Sequence, residues 1–227
     1  LHPNFREILE LCNQYQIFVN ITTNGTLLEK RMEDLKEVPI VRQLNISLHS
    51  FEDEDQINYV TSILENISKL KKERDLIIVY RFWALQNLNL SKENQKIVDI
   101  LVEYYQLEQE IQNKIQTEKN IKIENDIYIN KHELFRWPSL GDTDETEEGF
   151  CYGLSSQIAI LSDGTVVPCC LDSEGIIDLG NIFETSFSEI VKSERAKSIL
   201  FSFRNHKVIE KLCQKCKYRR MLKRGIM

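Results

Sequence analysis

The sequence contains no apolar run approaching the ~20 residues that a membrane-spanning helix requires. It does not open on the charged, apolar and small-residue pattern of a secretory signal. It also lacks a positive balance: 29 Lys and Arg against 35 Asp and Glu give a net charge of −6, which argues against a general nucleic-acid binder. Cysteine is nearly absent from the first 150 residues, where only Cys12 occurs. These absences predict a chain with no membrane partner and no nucleic acid. What remains is 227 residues, 42% hydrophobic and 28% charged, enough for one large domain or two smaller ones with a sizeable core. The chain begins at Leu1 and runs at once into the helix-entry pattern His2-Pro3-Asn4, with no strand before it. That start predicts further residues upstream.

Five of the six cysteines are gathered in the last third: Cys151, Cys169, Cys170, Cys213 and Cys216. In a Lys/Glu-rich chain without a secretion signal they fit a metal site in a reducing cytoplasm; an extracellular disulfide framework is the other reading. Between Cys151 and Cys169 lies Ile158-Ala-Ile-Leu-Ser-Asp-Gly-Thr-Val-Val-Pro-Cys169. Asp163-Gly164 between two apolar runs signals a hairpin, because glycine takes positive φ without steric cost. The hairpin lets Cys151 and Cys169 approach, and Cys213-Gln-Lys-Cys216 supplies two thiolates from one turn. Four thiolates hold one 4Fe–4S cluster. A tetrahedral set of four cysteines suits zinc equally well, and spacing alone leaves the two open. Cys169 and Cys170, as neighbours on extended chain, point to opposite faces, so one of them ligates while the other packs. Cys12 falls on an apolar helix face and reads as a small core residue.

The first 140 residues alternate helix and strand. Asn4–Tyr15 reads as a helix with Phe5, Ile8, Leu9, Cys12 and Tyr15 on one face. Ile17–Gly25 reads as a strand closed by Asn24-Gly25, and Leu27–Val38 as a helix. Leu44–Ser50 reads as a strand that turns Asn45, Ser47 and His49 to one side. A helix over Glu54–Lys72 follows, then Leu76–Leu85, so continuously apolar that burial on both faces is expected. Ser91 is a candidate N-cap for a helix to about Leu107. Residues 108–119 prolong that helix or form a loop. Ile121–Ile129 reads as a fourth strand with a break admitted at Asn125-Asp126. This order predicts right-handed βαβ units and a parallel sheet, with ligands beyond the carboxyl ends of its strands. Those ends carry Thr22-Thr-Asn-Gly25, Ser47-Leu-His-Ser50 and Arg81-Phe-Trp83; the bland alternative is that they only end strands and cap helices.

The acidic run Gly141-Asp-Thr-Asp-Glu-Thr-Glu-Glu-Gly149 reads as a solvated linker over 141–150, between domains at 1–140 and 151–227. Trp137-Pro138 before it reads as packing, with a substrate-facing aromatic as the alternative. Ile176–Ile182 reads as a short strand and Ser186–Phe203 as a helix. From Lys211 onward there are seven Lys and Arg and no acid. They form a solvated tail, or balance an anionic cluster or an acidic partner.

These residues together resemble the radical SAM superfamily with a C-terminal SPASM or twitch-type domain. Leu1-His-Pro3, Thr22-Thr-Asn-Gly-Thr-Leu-Leu28 and Asn45-Ile-Ser-Leu-His-Ser50 match its barrel motifs. Asp163-Gly-Thr-Val-Val-Pro-Cys169, Leu179-Gly-Asn-Ile182 and Cys213-x-x-Cys216 match its C-terminal domain. The resemblance implies an α/β fold: an incomplete (β/α)6 barrel lacking its first two strands, followed by a small α+β cysteine-rich domain. It implies an auxiliary 4Fe–4S cluster on Cys151, Cys169, Cys213 and Cys216, and favours Cys169 over Cys170. It implies S-adenosylmethionine (SAM) contacts from Asn24 and Ser47; strand-end position adds His49 and Arg81. In the intact family, SAM cleavage gives a radical that abstracts a substrate hydrogen, from a peptide, protein or small molecule, with electrons from a donor such as a flavodoxin or ferredoxin. The family's Cys-x-x-x-Cys-x-x-Cys and Gly-Gly-Glu-Pro are absent, so the chain as it stands is not expected to cleave SAM, and no catalytic residue is assigned. The five late cysteines admit at most one auxiliary cluster. A non-catalytic binding module stapled by a four-cysteine zinc site is the alternative.

Overall fold

The computed structural model describes residues 2–50, 56–133 and 136–222. The chain divides into two compact units, Leu1–Leu134 and Phe135–Met227.

The first unit begins with α1 (Phe5–Gln14), β1 (Val19–Thr23), a 3-10 turn (Glu29–Arg31), α2 (Met32–Glu37) and β2 (Val41–Ser47). A second 3-10 turn (Leu48–Ser50) leads to α3 (Gln56–Glu73), β3 (Ile77–Leu85), α4 (Lys92–Tyr104) and α5 (Gln109–Thr117). The unit closes with β4 (Asn120–Glu124) and β5 (Ile127–Glu133). One sheet runs β1-β2-β3-β5-β4. The pairs β1–β2, β2–β3 and β3–β5 are parallel, while β4–β5 is antiparallel. The parallel α/β reading therefore holds for four strands.

One face of the sheet meets the helices. Leu44 and Ile46 of β2, Ile78, Tyr80 and Phe82 of β3, and Ile127 and Ile129 of β5 form one core with Val60, Ile63, Leu64 and Ile67 of α3 and Ile97 and Leu101 of α4. Each such side chain contributes about 1.5–3 kcal/mol by leaving water. Cys12 packs against this core as expected. Arg74 fixes the α2–β2 corner by donating to the carbonyls of Leu35, Val38, Pro39 and Val41.

Several elements differ from the sequence reading. The fourth strand is a hairpin, β4 and β5, because Asp126 takes φ 57 and turns the chain back. The strand through Ser50 stops at Ser47, since the chain winds into a 3-10 turn at Leu48. His49 therefore leaves the alternation that would have placed it beside Ser47. β3 is not buried on both faces: Ile78, Tyr80 and Phe82 are buried while Ile77, Val79, Arg81 and Trp83 are only half-buried. Residues 108–119 form their own helix, separated from α4 by Gln106 at φ 50. The second helix is shorter than Leu27–Val38 and enters through a 3-10 turn. The first half of the α1 stripe is buried at Leu9, while Ile8 and Tyr15 stay exposed. The helix expected from Glu54 is described only from Gln56, and Glu54 lies outside the described residues.

The second unit contains a short hairpin, β6 (Ala159–Ile160) and β7 (Val166–Val167), turned by Gly164 at φ 88. Asp163 accepts from the Thr165 amide and so closes the turn. Ile176–Ile182 is not a strand, although its backbone runs along β7: Leu179 N–H donates to Val166, and Val166 N–H to Gly180. Ser186–Phe203 splits into α6 (Phe187–Val191) and α7 (Glu194–Arg204), because Ser193 starts a new helix by accepting from the Ala196 amide. Two single-turn helices, α8 (Lys211–Lys215) and α9 (Lys217–Met221), carry Cys213 and follow Cys216. Val166, Ile177, Ile190, Ile199, Phe203, Val208 and Leu212 form this unit's own core.

The acidic run is not a solvated linker but part of the second unit. The Thr146 amide donates to Gln214, the Val208 amide to Glu147, and the Gly149 amide to His206. Glu145 pairs with Lys211 at 2.7 Å and Lys215 at 3.6 Å; Asp144 pairs with Lys217 at 3.4 Å and Arg220 at 3.9 Å. The basic segment is thus balanced by acids of the same unit; Lys223 and Arg224 lie outside the described residues. No helix among the described residues is long and apolar enough to cross a membrane.

Candidate metal centre and sheet cleft

The hairpin and the α8–α9 corner bring four cysteines to one cavity in the second unit. Cys151, Cys169, Cys213 and Cys216 line a space of about 440 Å³ together with Pro138, Pro168, Leu171, Ile177 and Leu212. Cys170 is exposed and does not line it; the two neighbours lie in a bend and a turn after β7 rather than on the extended chain that was expected. All six cysteines are free thiols, so no disulfide forms among them.

Burial sets the chemistry of these thiols. Removal from water pushes the Cys169 thiol up to about 11, with the Cys151, Cys170 and Cys216 sulfurs adding to it and the Leu171 backbone opposing it. Burial also raises Cys151 and Cys213. Three half-buried thiols with raised pKa values stay protonated at neutral pH unless a metal centre takes the place of their protons. Two sulfurs already accept backbone amides: Gly153 N–H donates to Cys151 Sγ (3.4 Å) and Arg219 N–H to Cys216 Sγ (3.5 Å). Such donors favour a thiolate over a thiol.

The wall of the cavity contains two residues that sequence reading missed. Asp172 is buried, and its two carboxylate oxygens accept from the Ile176 and Ile177 amides at 2.8 and 2.7 Å, which fixes the turn after Cys170. Arg219 is also buried and lines the cavity. Asp172-Ser-Glu-Gly is recognisable as a turn, but nothing in the sequence marks its carboxylate as buried. Pro138 lines the cavity, whereas Trp137 is 50% exposed.

The donor set is four thiols in an apolar, water-poor space, as a sulfur-ligated centre requires. Among the described residues, no group of three or more His, Cys, Asp or Glu side chains is already close enough to hold a metal ion.

In the first unit, the sheet face away from the helices is a cleft of about 1070 Å³, lined by Gln43, Asn45, Arg81, Trp83, Tyr128 and Asn130 among others. Strand register builds it. Ser47 lies beside Arg81, Arg81 beside Asn130, and Asn130 beside Asn120, a polar row crossing four strands. The Arg81 guanidinium stacks on Trp83, 3.5 Å from the ring centroid, and burial lowers its pKa. Trp83 Nε1–H donates to Asn130 (2.8 Å), and Asn130 donates to Asn120 (2.5 Å). His49 does not extend the row: the Trp83 amide donates to its Nδ1 (3.2 Å). The Asn24 side chain is turned onto Thr26, accepting from its amide at 3.2 Å and its hydroxyl at 2.9 Å, and the Asn24 carbonyl accepts from Tyr59. The Asn120–Asn130 rung was missed because it depends on the antiparallel pairing of β4 with β5, of which the sequence showed only a possible break at Asn125-Asp126.

Comparison with known proteins adds three findings. No curated protein matches the chain. Two solved structures are similar: selenomethionine BtrN in an open conformation, at 13% identity and TM-score 0.43, and BtrN in complex with AdoMet and 2-DOIA, at 14% identity and TM-score 0.48. Each comparison covers 96% of this chain and 80% of that one. The SPASM family model, an iron–sulfur cluster-binding domain, matches residues 151–217, a stretch that contains all four cysteines of the cavity.

Proposed function

We propose that this chain is the auxiliary-cluster portion of a radical SAM enzyme, with one 4Fe–4S cluster held by Cys151, Cys169, Cys213 and Cys216. The observation that carries this reading is the gathering of those four sulfurs around one apolar cavity, within residues that match an iron–sulfur domain model. A bound cluster would supply one-electron transfer or a site for substrate. The chain's own residues do the rest. Cys151, Cys169, Cys213 and Cys216 would ligate as thiolates, their protons leaving to solvent, the Gly153 and Arg219 amides would orient two of the sulfurs, and Pro168, Leu171 and Leu212 exclude water.

The open sheet face is the proposed SAM and substrate side of a partial (β/α)6 barrel. Ser47 and Arg81, neighbours in register, are placed to meet an anionic or hydroxylated group. His49 acts by fixing the Trp83 backbone, and Asn24 by shaping the turn after β1. The substrate is proposed to be a peptide, protein or small molecule, with a reduced flavodoxin or ferredoxin as donor in the cytoplasm.

Anaerobic reconstitution of the chain with iron and sulfide tests the cluster. Iron and sulfide near four per chain, with a brown chromophore lost in C213S, are expected. Stoichiometric zinc with no iron uptake would overturn the proposal and leave a zinc-stapled binding module.

A further inference from the structure

Among the described residues, the basic segment after residue 210 contains one cation unlike its neighbours. Lys211, Lys215, Lys217 and Arg220 each face a carboxylate of the acidic run. Arg219 turns inward. Its side chain is buried, only 4% exposed, and lines the cysteine cavity. Its five N–H donors reach three backbone carbonyls: Nε to Cys213 (3.1 Å), Nη1 to Glu148 (2.8 Å) and Nη2 to Thr146 (3.2 Å). Carbonyls satisfy the donors but do not neutralise the charge. Among the described residues no carboxylate pairs with Arg219. The groups able to carry negative charge that act on the guanidinium are the sulfurs of Cys216, Cys151 and Cys213.

A buried cation without a counter-charge is strongly unfavourable. The surrounding chain is nevertheless built to keep it in place. Gly149 lies at φ +135, and a Cβ there would collide with the Arg219 guanidinium. Three segments, 146–148, Cys213 and Cys216, are tied to this one residue. Such a site makes sense if the cavity itself carries negative charge when filled. Four thiolates around a cluster supply it.

We infer that Arg219 is the internal counter-charge of the cluster bound by Cys151, Cys169, Cys213 and Cys216, and that it holds the reduction potential of that cluster up. The inference rests on the cluster proposed above. On reduction the cluster gains one electron from an external low-potential donor and no proton, so its negative charge grows by one. A fixed cation in a low-dielectric wall stabilises the more negative form. Arg219 is a positioning and tuning residue; it ligates nothing.

The test is a redox titration of the reconstituted full chain with dithionite and mediators, followed by electron paramagnetic resonance, with iron and sulfide counted on every sample. In R219Q the expected result is full cluster content and a reduction equilibrium shifted at least tenfold toward the oxidised form, a fall of about 59 mV for a one-electron couple. R219K, which keeps the charge and loses the fork of carbonyl bonds, is expected to stay within threefold of the parent. R220Q, which removes an exposed, acid-paired cation nearby, is expected not to move it. An R219Q chain with full iron and an unshifted potential overturns the inference while leaving the cluster in place. If R219Q loads no cluster but R219K loads one at the parent potential, the charge is upheld; if both fail to load, Arg219 is structural and the inference falls. A parent chain that takes up no iron removes the cluster reading and this inference with it.

Discussion

Replacing Gly149 by alanine tests how tightly the acidic run is fastened to the cysteine corner. Gly149 sits at φ +135, a backbone conformation that residues with a Cβ rarely adopt, and forcing one into it costs about 1–3 kcal/mol. The new methyl also meets the Arg219 guanidinium. That group is the end of a flexible side chain and can swing aside, but only by giving up its bond to the Glu148 carbonyl, at 2.8 Å. A charge-assisted hydrogen bond of this kind contributes about 1.5–3 kcal/mol. Taking the lower part of each range, because Arg219 can relax, G149A should destabilise the second unit by about 3 kcal/mol. For a unit of this size that lowers Tm on the order of 15 °C. Gly141 is the internal control. Its φ is not in the left-handed region, and a Cβ there would only touch Ser139 Oγ at 3.6 Å, so G141A should be neutral or stabilising by about 0.5 kcal/mol. Urea unfolding followed by near-ultraviolet circular dichroism measures both. G149A falling within about 0.5 kcal/mol of G141A would refute the packing argument, since its strain and its clash would both be missing.

The choice between adjacent cysteines is testable by iron content: C169S should lose most of the iron after reconstitution and C170S should keep it, because only Cys169 lines the cavity. The reverse pattern would show that the hairpin presents the other sulfur. The raised thiols also fix a pH response of the metal-free chain. Cys169 rises to about 11 on folding, and Cys151 and Cys213 rise too, against about 8.5 in an unfolded chain. Below pH ~8.5 both states are protonated and nothing is lost; from there to about 11 the unfolded thiols ionise first, so stability should fall as pH rises. The iron-loaded chain, whose thiols have already lost their protons, should show no such fall there and should instead weaken toward acid. Equal urea midpoints against pH for the two forms would contradict this.

Much of the first unit was legible because its signals are local. Strand bodies such as Leu44-Asn-Ile-Ser and helix stripes such as Val60, Ile63, Leu64 and Ile67 repeat at periods of two and 3.6, and the core follows them. What failed depends on single backbone conformations. Positive φ at Asp126 turns the break admitted at Asn125-Asp126 into a hairpin, and positive φ at Gln106 lets Gln109–Thr117, left open between helix and loop, form a helix of its own. Asn125-Asp126 carries a turn signal of its own, but Gln106 is not a residue type that favours positive φ, so nothing local marked the second break. The half-open sheet was also hidden. A strand as apolar as Ile77-Ile-Val-Tyr-Arg-Phe-Trp suggests burial on both faces, yet the Arg81–Trp83 stack shows that aromatic and charged residues on one face can line a wet cleft.

The cysteine cavity was legible in its four cysteines and not in its setting. Hairpin chemistry at Asp163-Gly164 and the Cys-x-x-Cys turn are strong short-range signals, and both lead to the cavity. The acidic and basic runs were equally visible; the acidic one reads as a solvated linker, and the basic one as a solvated tail or as a balance for an anionic cluster or acidic partner. That reading is sound for surface charges in general, since an exposed ion pair contributes only about 0–1 kcal/mol and cannot by itself dock a segment. The docking instead comes from backbone groups: the amides of Thr146, Gly149 and Val208 and the carbonyls of Thr146, Glu147 and Glu148. Backbone groups are the same in every sequence, so no pattern of side chains announces them. The exception is Arg219, which could have been singled out. It stands three residues after Cys216, where one turn of helix brings its amide back to the sulfur and so places a cation at the cysteine corner. The acidic run is held by its main chain, and its carboxylates serve the outward lysines. The charge that matters to the cavity is the one its carbonyls turn inward.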